Sequence, residues 1–123
     1  MEHSTGFLKL VNDAKSRIIE TTPELVRARQ QAGETLVFVD VREDNEWQKG
    51  HAAGAIHLGK GIIERDIEKA VPNRDAEIIL YCGGGFRSAL VADALLKMGY
   101  TNPISMDGGW KRWCELQYPT QTD

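Results

Sequence analysis

The chain has 123 residues, of which 41% are hydrophobic and 27% charged, and its formal net charge at pH 7 is -3. This length and balance are typical of one globular domain. The net acidic charge gives no indication of a basic face that could bind nucleic acid. No apolar run reaches the roughly 18 residues that a membrane-spanning helix needs. Two cysteines are too few for a disulfide framework.

Apolar spacing, caps and breakers predict alternating helices and strands. In chain order they are a helix at 7–14, a short strand at 18–19, a helix from 22 to about 33, a strand at 36–41, a weaker strand at 55–58, a helix at 63–71, a strand at 77–81, a helix that ends at 99, a strand at 103–106 and a helix at 109–116. The alternation indicates an α/β fold with a parallel sheet. We expect an N-terminal helical extension at 1–16, which either packs on the domain or mediates pairing, a domain at 17–119 and a frayed tail at 120–123.

The most informative segment has the sequence Cys-Gly-Gly-Gly-Phe-Arg-Ser and follows a buried strand. A glycine-rich turn that opens a helix can point its N–H groups inward as an anion-binding nest. A cysteine thiolate at the head of such a turn is stabilised and can act as a nucleophile. We therefore predict that Cys82 is catalytic. The predicted substrate-binding loop contains Gly83, Gly84, Gly85, Phe86, Arg87 and Ser88.

Neither nucleotide-binding pattern fits this loop. The Walker pattern requires Gly-Lys-Ser/Thr at its end, and the third glycine of the dinucleotide fingerprint is replaced by Ser88. The histidines are scattered, and no Cys/His pair has zinc-ligand spacing, so we expect no metal. The first residues lack the pattern of a secretory signal, which predicts a cytoplasmic protein.

Four polar residues after the central strand are supporting candidates. Asp40, Arg42, Glu46 and His51 either line the mouth of the site or form a polar network that holds the loops together. We favour the network, because a thiolate held by backbone N–H groups needs none of them for activation. Cys114 lacks any glycine or cation pattern, and we expect a semi-buried structural thiol rather than a resolving cysteine.

From roughly Ile18 to Pro119 the chain resembles a rhodanese domain. The motifs that carry the resemblance are the loop at Cys82–Ser88, the upstream segments Asp40–Glu43, Glu46–Trp47 and Gly50–His57, and the downstream residues Leu95, Gly99–Tyr100, Gly108–Trp110 and Trp113. The resemblance implies a rhodanese-like, five-stranded parallel sheet flanked by helices on both faces.

The resemblance also implies a single-domain sulfurtransferase. Cys82 would take a sulfane sulfur as a persulfide from a small donor such as thiosulfate or glutathione persulfide. It would then pass the sulfur to a thiol, cyanide or a protein acceptor, with no dissociable cofactor and with neither nucleic acid nor membrane as a partner. Relatives that prefer thiosulfate often carry basic residues just after the cysteine. Here Arg87 is the only charge in the loop, so we expect persulfide donors to be preferred.

Two other function classes stay open. Cysteine phosphatases and arsenate reductases of related fold place five residues between cysteine and arginine, whereas four separate Cys82 from Arg87 and Ser88 occupies the position of that arginine. A non-catalytic rhodanese-like binding module usually lacks the cysteine. A sulfur carrier that acts only with a partner protein lies between these possibilities.

Overall fold

The computed structural model describes residues 3–123, which form six helices and seven strands. In chain order these are α1 (Thr5–Lys15), β1 (Ile19–Thr21), α2 (Pro23–Gln31), β2 (Val37–Asp40), α3 (Asp44–Gln48), β3 (His51–Ala52), β4 (Ile56–His57), α4 (Ile63–Ala70), β5 (Glu77–Tyr81), α5 (Phe86–Lys97), β6 (Asn102–Met106), α6 (Gly109–Glu115) and β7 (Thr120–Gln121). Each helix and strand predicted from the sequence has a counterpart. The short elements α3, β3 and β7 are absent from the predicted list.

Five strands form one parallel sheet in the order β1-β6-β5-β2-β4. Alternate residues of the central strand β5 face opposite sides of this sheet. Ile78 and Leu80 pack in one apolar cluster with residues of α4 and α5, and Ile79 and Tyr81 pack in a second cluster with residues of α2 and α6. The continuous apolar run of β5 is therefore explained by burial on both faces. The predicted five-stranded parallel sheet with helices on both faces is confirmed.

The carboxyl ends of three neighbouring strands lie at one edge of the sheet. β2, β5 and β6 end at Asp40, Tyr81 and Met106. Ligands of open α/β sheets bind at this edge, in the loops that follow the strands. The loop that begins at Cys82 directly follows β5 and so lies at the place where the fold builds binding sites.

The N-terminal helix α1 packs on the domain, against α5. Val11 and Ala14 of α1 are fully buried. Arg17, just after α1, binds Asp13 of α1 and Asp93 of α5 at 2.9 and 2.8 Å. Among residues 3–123, no helix is both long and apolar enough to cross a membrane.

The end of the chain differs from the predicted frayed tail. Thr120 and Gln121 form β7, which pairs antiparallel with Ala52 and His51 of β3. Asp123 accepts a hydrogen bond from Trp47 Nε1 at 3.0 Å. The expectation was wrong because β3, a strand too short to read from the sequence, supplies the backbone groups that order these residues.

Candidate active site

The sulfur of Cys82 lies at the base of the loop that follows β5. The residue is 1% exposed. Its Sγ accepts backbone N–H groups from Gly85 at 3.1 Å and from Ser88 at 3.4 Å. The Ser88 hydroxyl lies 3.6 Å from the sulfur and 2.8 Å from the hydroxyl of Ser105 on β6. Two N–H dipoles thus converge on the sulfur at the start of α5, an arrangement that favours a negative charge there.

The turn that produces this convergence requires glycine at position 85. Gly85 has a φ of 108°, a backbone conformation that L-residues with a side chain rarely adopt. A Cβ at this position would also lie 2.9 Å from Asp107 Oδ1 and 3.2 Å from Asp107 Cα. The predicted need for a tight glycine turn therefore falls on Gly85.

The first turn of α6 is hydrogen-bonded to the backbone of the loop. Its backbone N–H groups donate to the loop carbonyls, from Trp110 to Cys82 at 2.8 Å and from Lys111 to Gly83 at 3.0 Å. This approach is possible only because residue 109 is glycine, since a Cβ there would lie 2.4 Å from the Cys82 carbonyl oxygen. Sequence reasoning missed this contact. Its only signal was the Gly108-Gly109-Trp110 motif within the family resemblance.

Arg87 forms a bidentate ion pair with Glu46 of α3. The guanidinium nitrogens lie 2.7 and 3.0 Å from the two carboxylate oxygens. This contact holds the pKa of Glu46 well below its usual value, at about 2, because Arg87 hydrogen-bonds the ionised carboxylate. The prediction treated Arg87 as a net positive charge at the site and Glu46 as part of a supporting network. The ion pair agrees with a network role for Glu46, which joins α3 to the loop, and corrects the view of Arg87 as a net charge, because Glu46 balances it.

The other three supporting candidates form contacts at the end of β2 and around α3 and β3, and none of them is among the hydrogen-bond partners of Cys82 Sγ. Asp40 and Arg42 form a buried ion pair at 2.8 Å, and Arg42 also donates to the Gly50 carbonyl at 2.7 Å. His51 stacks on Trp47 with ring centroids 3.4 Å apart. These contacts tie the end of β2 to the segment that carries α3 and β3. Through α3 they help to position Glu46.

A groove of about 510 Å³ opens over Cys82. We call it the Cys82 groove. One side consists of the predicted loop residues Gly83, Gly84, Phe86 and Arg87, and the other residues that line it are His3, Phe7 and Lys111. Sequence reasoning missed these three. The helical spacing of Phe7 predicted α1 but carried no information about the loop that α1 contacts.

Cys114 lies on α6 and is exposed, which corrects the expected semi-buried position. Desolvation by neighbouring atoms nevertheless raises the pKa of its thiol. A neutral thiol is a weaker nucleophile than a thiolate. Within residues 3–123, no group of three or more His, Cys, Asp or Glu side chains is arranged to hold a metal ion.

Comparisons with known proteins identify related domains. The Rhodanese-like domain family matches residues 22–116. Thiosulfate sulfurtransferase GlpE of Haemophilus influenzae is 35% identical over 103 residues, which cover 84% of this chain and 94% of GlpE. The solved structure of RPA3614 from Rhodopseudomonas palustris, described as a protein of unknown function and a possible tyrosine phosphatase, has a TM-score of 0.87 and 25% identity and covers 98% of both chains.

Some relatives are longer than this chain. YrkF of Bacillus subtilis is 31% identical over 98 residues, which cover 80% of this chain and 52% of YrkF. MoeZ of Mycobacterium tuberculosis is 32% identical over 98 residues, which cover 80% of this chain and 25% of MoeZ. The chain thus spans about half of YrkF and about a quarter of MoeZ. Because the family match covers most of the chain and nearly all of GlpE aligns with it, this chain belongs to the rhodanese-like domain family.

Proposed function

We propose that this protein is a sulfurtransferase that carries a sulfane sulfur as a persulfide on Cys82. The observation that carries the proposal is the convergence of the Gly85 and Ser88 N–H groups on Cys82 Sγ, at 3.1 and 3.4 Å, beside an open groove. The family match and the identity with GlpE support the same reaction class.

The first half-reaction loads the cysteine. The Cys82 thiolate attacks the outer sulfur of the donor, the donor's sulfur–sulfur bond breaks, and the leaving group departs with that electron pair. With thiosulfate the leaving group is sulfite, and with an organic persulfide it is a thiolate. Cys82 is left as a persulfide anion, and the loop N–H groups that favour a thiolate also favour this charge.

The second half-reaction unloads the sulfur. A thiolate or cyanide ion attacks the outer sulfur of the Cys82 persulfide, and the electrons of the broken bond return to Sγ as the thiolate. A thiolate acceptor leaves as a persulfide and cyanide leaves as thiocyanate, so no oxidant or reductant is consumed. Covalent storage between the halves predicts ping-pong kinetics.

The charges around the loop favour persulfide donors over thiosulfate. Thiosulfate is a dianion, and the one guanidinium of the loop is already paired with Glu46. Lys111 is the remaining cation of the Cys82 groove. A persulfide of lower charge depends less on fixed cations. We expect a higher kcat/KM for glutathione persulfide than for thiosulfate under one set of conditions, and the opposite order would contradict this donor assignment.

Intact mass tests the carrier step directly. Wild-type protein incubated with thiosulfate or glutathione persulfide should gain the mass of one sulfur atom and lose it when a thiol or cyanide is added. Cys82→Ser should gain nothing, and Cys114→Ser, the matched control, should behave like the wild type. Sulfur loading of Cys82→Ser, or its loss in Cys114→Ser, would overturn the one-cysteine mechanism.

A further inference from the structure

Part of the Cys82 groove is built by a segment that precedes the family match. His3 and Phe7 line the groove, whereas the rhodanese-like match begins at residue 22. Helix α1 is anchored independently of these two side chains, through buried Val11 and Ala14. The segment is therefore held where it can contact a molecule that reacts at Cys82.

The two sides of the groove meet through three aromatic rings. The His3 ring lies edge-on to Phe86 with centroids 4.6 Å apart, and the Phe7 ring lies edge-on to Phe86 at 6.3 Å. His3 and Phe7 are themselves 5.2 Å apart. All three residues are only half-buried, so they present apolar surface to the groove. The backbone N–H groups that contact the sulfur come from Gly85 and Ser88 and not from the three residues of this aromatic wall.

The groove also contains a cation. Lys111 lines the groove and forms no ion pair with any carboxylate of residues 3–123. The other cations nearby are occupied: Arg87 binds Glu46 at 2.7 Å, and Lys15 binds Glu20 at 3.4 Å and Asp107 at 3.7 Å. A groove that combines an aromatic wall with a cation that forms none of the ion pairs above is complementary to an organic anion.

We propose that the aromatic wall and Lys111 form a specificity site for the organic body of an anionic sulfur compound whose sulfur reacts at Cys82. The substrate class is an anion of the type R–SO2–S⁻ or R–S–S⁻ in which R is apolar or carries a carboxylate. R lies against Phe7 and Phe86, and the negative charge is attracted by Lys111. A groove of about 510 Å³ falls within the range of about 300–1,000 Å³ that is typical of small-organic-molecule sites.

This inference rests on the proposed sulfur transfer and adds the identity of R. With a thiosulfonate donor, the Cys82 thiolate attacks the outer sulfur of R–SO2–S⁻. The sulfur–sulfur bond breaks, and R–SO2⁻ leaves with the electron pair. Charge and atoms balance without a further reactant. R is bonded to the sulfur that leaves and not to the sulfur that is transferred. Changes in the aromatic wall should therefore alter selectivity for R rather than the transfer of the outer sulfur to Cys82.

Two thiosulfonates with the same charge and reacting group isolate the aromatic wall. The ratio of kcat/KM for benzenethiosulfonate to that for methanethiosulfonate is measured in the wild type and in Phe7→Ala. We expect the ratio to fall by about fivefold in Phe7→Ala, since one aromatic contact is lost. Comparison of this ratio between the wild type and Phe7→Ala cancels the intrinsic difference between the two leaving groups, because that difference is the same in both proteins.

The matched control is Leu10→Ala, which shortens an exposed apolar side chain of α1 outside the groove. It should leave the ratio unchanged. Phe86→Leu tests the same wall from α5, so the result does not depend on the stability of α1 alone. An unchanged ratio in both Phe7→Ala and Phe86→Leu overturns the aromatic part of the proposal.

Acceptor thiols of similar size test the cation. The ratio of kcat/KM for 3-mercaptopropionate to that for 2-mercaptoethanol should fall by about threefold in Lys111→Gln, the effect expected of one exposed ion pair. Lys49→Gln, which removes an exposed lysine outside the groove, should leave the ratio unchanged. Equal ratios in the wild type and Lys111→Gln overturn the role of Lys111. Sulfur loading from methanethiosulfonate with no such selectivity refutes only this inference, whereas failure of every donor to load Cys82 refutes the proposed function itself.

Discussion

Glu46 and Arg87 lie 41 positions apart in the sequence and form a bidentate ion pair beside Cys82, with nitrogen–oxygen distances of 2.7 and 3.0 Å. The pair joins α3 to the start of α5. It fixes the guanidinium next to the loop, where a Cβ on Gly83 would lie 3.1 Å from Arg87 Nη2. The same contact lowers the net positive charge that an anionic donor meets. Glu46 is therefore a positioning residue for Arg87, and its negative charge weakens the attraction of the site for dianions.

Removing the negative charge of Glu46 should improve the use of thiosulfate. Glu46→Gln keeps an oxygen that can accept from Arg87 and from the Glu43 N–H but frees the guanidinium charge. We expect kcat/KM for thiosulfate to rise by about three- to tenfold, with a smaller rise for glutathione persulfide. The measurement is steady-state kinetics with both donors. Glu64→Gln, an exposed change of the same charge on α4, is the control. A fall in thiosulfate activity in Glu46→Gln alone would show that the ion pair is needed to orient Arg87.

The Glu46–Arg87 pair should also stabilise the fold down to acidic pH. Arg87 lowers the pKa of Glu46 from 4.5 to about 2. A carboxyl whose pKa is lower in the folded state contributes stability that is complete above its unfolded value, near 4.5, and is lost as pH falls toward 2. The difference in free energy of unfolding between the wild type and Glu46→Gln should be constant above about pH 5 and should shrink between pH 4.5 and 2.

Denaturant unfolding of both proteins across this range measures the difference. Other carboxyls with lowered pKa values, such as Asp93 and Asp66, are present in both proteins and cancel. A difference that does not change with pH would show that Glu46 gains nothing from its charge.

Two glycines near the loop should respond differently to alanine. Gly109 has a φ of 53°, and a Cβ there would lie 2.4 Å from the Cys82 carbonyl oxygen. Gly109→Ala should cost about 2–5 kcal/mol of stability and displace the loop, with a large loss of sulfur transfer. A Cβ on Gly84 would meet nothing within 4 Å, so Gly84→Ala should change stability by no more than about 0.5 kcal/mol. Thermal unfolding measures the stability of each variant, and sulfur loading of Cys82 measures its activity. Equal effects of the two changes would contradict the requirement for close contact between α6 and the loop.

Loop length should separate sulfur transfer from phosphate chemistry. Four residues lie between Cys82 and Arg87, and the Gly85 and Ser88 N–H groups already converge on the sulfur. We expect negligible hydrolysis of aryl phosphates by the wild type. Insertion of one glycine between Gly84 and Gly85 should weaken sulfur loading, because it moves these N–H groups away from Sγ. Robust phosphatase activity of the unmodified chain would favour the activity named for the structural neighbour RPA3614.

The local patterns of this sequence are sufficient to predict the sheet and to single out Cys82 as the proposed nucleophile. The apolar run of β5 predicts a strand because the strand is buried on both faces. Helix α2 begins where Thr22 accepts a hydrogen bond from the Leu25 N–H and Pro23 occupies the first turn. Cys82 could be identified because the glycines, the arginine and the helix start lie within seven consecutive residues. In each case the signal and its cause are close together in the chain.

The partners of that loop were decided only by the tertiary structure. Glu46, Gly109 and Phe7 reach Cys82 or its loop from α3, α6 and α1, and nothing in their local sequence specifies which distant backbone each helix will approach. The same holds for the tail, where β7 is ordered by pairing with β3. These contacts depend on the packing of helices on the two faces of the sheet, which brings segments together that are separated by many residues. The signal for Cys82 as the proposed nucleophile is therefore local, whereas the charge and shape of its surroundings depend on the fold.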